Sequence, residues 1–429
     1  MALCALLLLP AASCSKKQTT TVRLAAWGDA AEIALLKQFV QTFAQVAPQI
    51  KIELLTAPDR DGYLSQLEVW RKQGRAPDLI EVDTFSFPAM QSAGKIRDLS
   101  GRLDDLSDFQ PRLVECFSRA GKLWAVPNSC SPLVLYFNKG KFDRAGVPYP
   151  NESWDWRDFR DAAEKLTIAD ASGSVIQYGA ELPADLLSWA PFLWQSGGEV
   201  MDPSTGQFVI GVPENLDVNA AALQFYVDLL HQGHVAPAQS PAAKRAITGA
   251  FQRQLAAMTL AGRELGPRLS SVKGLEWDVA ALPRNRARAT SLTVEGFAIS
   301  QKASQPDAAW KVLRSLTGPT SQTKLAAAGA GVPARVSCGR SPVFMDYPGG
   351  QPKNNKAFLD SLYYARPIVV GPEWPAIEKI LAEETGLLFE AGKGSAKDAL
   401  IRAQLRIERL GPRKAPAMSP RADPKPRMR

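Results

Sequence analysis

The stretch VRLAAWGDAAEIALLKQFVQTFAQVAPQIKIELL, residues 22–55, changes its apolar period twice. VRLAAW is a short, mostly apolar run stopped by Gly28. Asp29 followed by Glu32 has the spacing of a capping box, in which each side chain serves a backbone N–H at the start of a helix. Ile33, Leu36, Val40 and Phe43 then recur at helical spacing until Pro48. Ile50, Ile52 and Leu54 alternate as in a strand. Downstream, Gly62 to Gln73 places Leu64, Leu67 and Trp70 on one helical face, and DLIEV (78–82) reads as the next strand. Strands alternating with helices predict βαβ units and a mostly parallel sheet. Ligands of such sheets lie beyond the carboxyl ends of the strands. Trp27, Asp29, Asp83 and Phe85 are therefore the first candidate site residues.

Further along, LVLYFN (133–138), Ala257–Leu260, DVAAL (278–282) and Phe297–Ser300 read as strands. Helices are expected over Ser153–Leu166, Ala184–Gln195, Val218–Gln232, Ala246–Met258 and Asp307–Leu316. From Trp374 to Leu410 the pattern is helical, with breaks at Gly386 and Gly392–Gly394. A length of 429 residues suggests two or three domains. With 45% hydrophobic and 22% charged residues the composition is that of a globular chain.

The formal charge of +8 is concentrated at the ends. Residues 411–429 carry six Lys/Arg and one Asp, Lys16 and Lys17 add two more positive charges, and the body between is nearly neutral. Such a body has no broad basic footprint for nucleic acid, and the tail reads as a disordered basic appendage. The start, MALCALLLLPAASCSKKQTTT, is apolar, then small, then polar, as in a secretory signal. Ala11-Ala12-Ser13-Cys14 resembles a bacterial lipoprotein signal, which makes Cys14 the expected lipidation site and residues 1–21 a signal and tether. Ala11 stands where that signal usually has Leu, and no Lys or Arg precedes the apolar run. Cys116, Cys130 and Cys338 remain, enough for one disulfide that the sequence does not assign. His231 and His234, the two histidines, read as a solvated helix end rather than a metal site.

Several blocks, in order, resemble the extracellular solute-binding proteins of ABC importers, family 1, the sugar-binding group that includes maltose-binding protein. They are GRAPDLI (74–80), AGKIRDL (93–99), GKLWAVP (121–127), LYFNK (135–139), FDRAGVPYP (142–150), AAEKL (162–166), AAM (256–258) with Gly262, ALP (281–283), AWK (309–311) and GVP (331–333). The resemblance spans roughly residues 22–410. It implies an α/β, periplasmic-binding-protein-like fold: two α/β lobes with a ligand cleft and a multi-strand hinge. The implied lobes are 22–127 plus 284–334 and 128–283 plus 335–410. It further implies capture of a mono- or oligosaccharide and delivery to ABC permease subunits, by a monomer anchored through lipid in the bacterial cell envelope, at the periplasm or outer surface, without cofactor or metal.

A sugar presents C–H faces that suit aromatic plates and hydroxyls that need donors and acceptors. Beside Trp27, the resemblance puts aromatic contacts near Trp189 and Trp374, while Trp70, Trp310 and Trp124 read as packing. Ser129 and Ser131 follow the first implied hinge crossing, Ser131 where the maltose-binding group uses a carboxylate. Arg263 and Glu295 replace a Trp and a Gly of the family pattern. Glu295 either accepts ligand hydroxyls or pairs with Arg263. Three other readings compete. A carbohydrate-active enzyme would need a carboxylate pair, which no spacing marks. A polyamine or peptide binder would use Asp29, Asp83 and Glu295, and a ferric-ion binder would use Tyr363 and Tyr364.

Overall fold

The computed structural model describes residues 19–202, 205–232, 235–237, 249–368 and 371–411. Cys14, His234 and the basic tail beyond residue 411 lie outside the described residues. The opening stretch folds as its periods require: β1 (Thr20–Trp27), α1 (Ala30–Val46), β2 (Ile50–Ala57), α2 (Arg60–Lys72) and β3 (Leu79–Asp83). The Asp29 side chain accepts from the N–H groups of Ala31 and Glu32, and Glu32 reaches back to the Asp29 N–H, so the capping box is complete. Eight parallel pairs, Thr20 with Ile50 through Trp27 with Ala57, join β1 to β2.

The chain continues through β4 (Val126–Pro132), β5 (Val134–Asn138), α3 (Trp156–Leu166), α4 (Leu186–Gln195), α5 (Pro213–His231), β6 (Met258–Ala261), α6 (Leu265–Leu269), β7 (Trp277–Ala280), β8 (Thr290–Ile299), α7 (Pro306–Leu316), β9 (Val332–Pro333), β10 (Ala365–Pro367), α8 (Trp374–Ala391) and α9 (Ala396–Glu408). The large sheet runs β9-β4-β8-β3-β1-β2, with β10 also on β8. A smaller antiparallel sheet runs β6-β5-β7. Strand alternation in β5 sends Val134 and Tyr136 to one apolar cluster and Leu135 and Phe137 to another. The first cluster fills the space around the large sheet, and the second is closed over by α4, α5, α8 and α9.

Some expectations fail for local reasons. The strand expected at Phe297–Ser300 is the end of a ten-residue strand, β8, whose first half carries Thr and Ser and hides its period. In place of a helix ending at Met258, the described part holds only Gly249–Gln252, after which Gln254 takes φ 60 and turns the chain. α8 runs through Gly386 without a break, since a lone glycine costs a helix only about 1 kcal/mol. Cys116, Cys130 and Cys338 are buried free thiols. Burial pushes the Cys116 thiol up to about 12, a range in which it stays protonated and unreactive. Among the described residues no helix is long and apolar enough to cross a membrane.

Candidate functional site

β1, β3 and β8 lie side by side, and their residues around Trp27, Asp83 and Glu295 meet at one end of the large sheet. In the antiparallel pair β3–β8, Glu295 stands directly opposite Asp83, and Phe297 opposite Glu81. On its other side Glu295 stands opposite Ser129 of β4, where the register shifts between Glu295 and Gly296. Such bulges re-aim side chains and collect next to functional sites. Ser129 donates to Glu295 Oε2 at 3.0 Å, and Ser131 donates to Glu264 Oε2 at 2.5 Å. Glu81 Oε2 accepts the Trp27 N–H at 3.0 Å. The result is a floor of carboxylates: Glu32 from α1, Glu81 and Asp83 from β3, Glu264 just before α6, and Glu295 from β8.

Crowding of like charges with little water shows in their acidities. Burial, then the charges of Glu32, Glu264 and Asp83, push the Glu295 carboxyl from about 4.5 up to about 8. Burial and the Glu295 charge hold Glu81 well above its ordinary value. Glu32 is raised by burial, against the hydrogen bond it accepts from Asp29 N–H.

Two contacts bridge this floor to the part of the chain around the small sheet and α8. Asp29 pairs with Arg268 of α6 at 3.2 Å. Phe85, two residues past β3, stacks on Trp374 at the start of α8, with centroids 5.2 Å apart and planes 26° apart. Arg60 spans the same gap: its guanidinium lies 5.2 Å from the Phe85 ring centroid, 3.6 Å from Asp83 Oδ2 and 3.9 Å from Glu378. Asp83 Oδ1 meanwhile accepts from the N–H groups of Phe85 and Ser86, which holds the turn that presents Phe85.

The structure thus gathers Trp27, Asp29, Asp83, Phe85, Ser129, Ser131, Glu295 and Trp374. Trp27 is half-buried, its ring 4.9 Å from that of Tyr63. Trp374 is buried, and its indole N–H has no hydrogen-bond partner among the described residues. Trp189 is enclosed in the second apolar cluster, with its N–H given to Ala184 O at 3.2 Å. In this form it is a core residue, not an open plate, because every residue of α4 is buried. The alternative ion pair between Arg263 and Glu295 does not form. Arg263 is fully buried, with its guanidinium 4.5 Å from the Tyr347 ring centroid and 5.6 Å from that of Phe358. None of its three nitrogens has a hydrogen-bond partner among the described residues, and burial lowers its pKa. Tyr363 is exposed while Tyr364 shares a hydrogen bond with Ser361, so the two tyrosines point apart.

Glu32, Glu81 and Glu264 stand beside these residues, and sequence reading did not place them in the candidate site. Glu81 carried a signal, an acid inside the otherwise apolar run LIEV. Among the described residues no cluster of His, Cys, Asp and Glu has the arrangement of a metal site.

The sequence profile of the family described as "Bacterial extracellular solute-binding protein" matches residues 27–323. A putative binding protein of Brucella abortus is 24% identical over 59% of this chain and 61% of its own length. The chain therefore spans less than two thirds of the length of the curated relatives it matches first. An arabinooligosaccharide-binding protein of Halalkalibacterium halodurans is 25% identical over 44% of this chain and 40% of its own. Among solved structures, an ABC substrate-binding protein of Listeria monocytogenes in complex with cycloalternan superposes with a TM-score of 0.79. That match is 24% identical and covers 91% of this chain and 99% of the other. The fold is accordingly that of the periplasmic-binding-protein-like solute binders.

Proposed function

This chain belongs to the bacterial extracellular solute-binding proteins, and from that premise we propose that it captures a carbohydrate for an ABC importer. The observation that carries the reading is the meeting of carboxylates with a half-buried indole at the strand ends: Asp83, Glu264 and Glu295 with Trp27, beside the stacked pair Phe85 and Trp374. Carboxylates accept hydroxyl hydrogen bonds, and indole or phenyl faces take the C–H side of a sugar ring. The names of the arabinooligosaccharide-binding relative and the cycloalternan-bound neighbour point the same way. Residues 22–127 plus 284–334 form one lobe on this reading, and 128–283 plus 335–410 the other. Closure of the two on the sugar makes the loaded protein recognisable to the permease subunits. Lipid on Cys14 holds it at the cell envelope as a monomer. The assigned role is capture and hand-over, not turnover.

The test is calorimetric titration of the protein with malto-, arabino- and xylo-oligosaccharides after a thermal-shift screen. One sugar bound per chain with a Kd on the order of micromolar, about −8 kcal/mol, is expected. Stabilisation by spermidine, a peptide or Fe(III) with none by any sugar would overturn the assignment.

A further inference from the structure

The floor of the site holds more carboxyl groups than its own cations answer. Asp83 and Glu295 stand directly opposite each other on adjacent antiparallel strands, where like charges are destabilising. Glu81 lies one pleat away on the same face, and Glu32 and Glu264 close in from α1 and the start of α6. The hydrogen bonds these acids receive come from neutral groups: Ser129 to Glu295, Ser131 to Glu264, the Trp27 N–H to Glu81 and the Asp29 N–H to Glu32. Two arginines stand at the margin, and each is already engaged, Arg268 with Asp29 and Arg60 with Asp83 and Glu378. Arg263, a buried cation next to Glu264 in sequence, lies against the Tyr347 and Phe358 rings instead.

A second observation, independent of the acids, concerns the wall beside them. Trp374 is 4% exposed, its ring lies on Phe85, and its indole N–H has no partner among the described residues. A buried donor left alone is costly, so it calls for an acceptor beyond the described residues, one that a ligand can supply. The Thr84 hydroxyl, between Asp83 and Phe85, is likewise buried without a partner. A ligand that satisfies the whole site carries hydroxyl oxygens for these donors, a ring face for the aromatics, and positive charge for the carboxylates.

We infer that the site selects an aminated carbohydrate, a polyhydroxylated ring bearing a protonated amine, with Glu81 and Glu295 setting the preference over neutral sugars. This rests on the carbohydrate reading of the cleft and narrows it. An ammonium placed among Glu81, Asp83 and Glu295 takes the place of the protons that Glu81 and Glu295 otherwise retain, and the half-buried ring of Trp27 favours a cation over a neutral group. Binding therefore releases protons. The other charged groups that face Glu81 and Glu295 are Asp29 and Glu32 at the start of α1, Arg60 on α2, Asp83 on β3, Glu264 and Arg268 at α6 and Glu378 on α8. A neutral sugar lacks the charge that drives this exchange.

The experiment is native mass spectrometry of the protein with one mixed pool near neutral pH. The pool contains glucosamine oligomers, their N-acetylated counterparts, malto-oligosaccharides, uronic-acid oligosaccharides and spermidine at equal concentration. Capture of the glucosamine oligomers at least tenfold over the N-acetylated and neutral sugars is expected. Glu295→Gln and the double variant Glu81→Gln/Glu295→Gln, each checked for an unchanged circular-dichroism spectrum, should cut that preference about tenfold. The heat of glucosamine-oligomer binding should also vary with the ionisation enthalpy of the buffer. Preferential capture of neutral, acetylated or acidic sugars would overturn the amine preference and leave the carbohydrate reading standing. Capture of spermidine alone, or of nothing in the pool, would overturn both.

Discussion

Replacing Glu295 by Gln should flatten the dependence of stability on pH. In the folded chain, burial and the neighbouring charges of Glu32, Glu264 and Asp83 move this carboxyl from about 4.5 up to about 8. An acid raised in this way binds its proton more tightly folded than unfolded. Its contribution is complete below about pH 4.5 and is lost as pH climbs through about 8. At about 1.4 kcal/mol per pH unit, the shift sets a ceiling of roughly 5 kcal/mol. Glu295 is only partly covered, and water at such a side chain screens the effect to about 2 kcal/mol. Glutamine keeps an oxygen for the Ser129 hydroxyl, which lies 3.0 Å from Glu295 Oε2, so the packing survives the change. Denaturant unfolding of both proteins between about pH 5 and pH 9 reads the difference directly. The wild type should lose about 2 kcal/mol more than Glu295→Gln across this range, with the variant the more stable at the alkaline end. Glu81 has the same sign and leaves a residual slope in the variant. Superimposable profiles would refute the buried-acid account of the floor.

Arg263→Met should be neutral or stabilising by about 1–2 kcal/mol in the same unfolding assay, because it replaces a buried guanidinium that has no hydrogen bonds among the described residues with an apolar chain of similar length; a loss beyond about 2 kcal/mol would show that the contact with Tyr347 outweighs the burial cost. Trp27→Ala should weaken sugar binding by about 1–3 kcal/mol in calorimetry, and unchanged affinity would remove Trp27 from the site. Cys14→Ala should move the protein from the membrane to the soluble fraction, since each lipid CH₂ buried contributes about 0.8 kcal/mol; a wild type that fractionates as soluble would end the anchoring proposal.

Much of the scaffold was legible because burial was one-sided. α1 shows its apolar face at helical spacing and its cap as Asp29 and Glu32, and β2 alternates over Ile50 and Ile52 before its buried face passes to Leu55 and Ala57. β8 was half hidden because it is flanked by β3 and β4 and runs past the acidic floor, so its residues Thr293 and Glu295 answer to the site and not to a core. The strand-end rule found Asp29, Asp83 and Phe85. It missed Glu264, whose role depends on Ser131, a residue 133 positions away in the chain. Glu32 was read as a cap, and it is one, yet the same carboxylate also raises Glu295. Trp189 shows the opposite error: a tryptophan beside apolar residues at every helical position has no polar face to place outward, and α4 buries all of them.

The central claim is that two lobes close over a carbohydrate. On this account the form with Phe85 on Trp374 at 5.2 Å and Asp29 on Arg268 at 3.2 Å is the closed one. Small-angle X-ray scattering, with and without a saturating sugar found by the screen, measures closure directly. The account predicts a larger radius of gyration without sugar, falling on saturation to the value calculated from this form. An identical radius in the two samples, with calorimetry showing the site full, would contradict it.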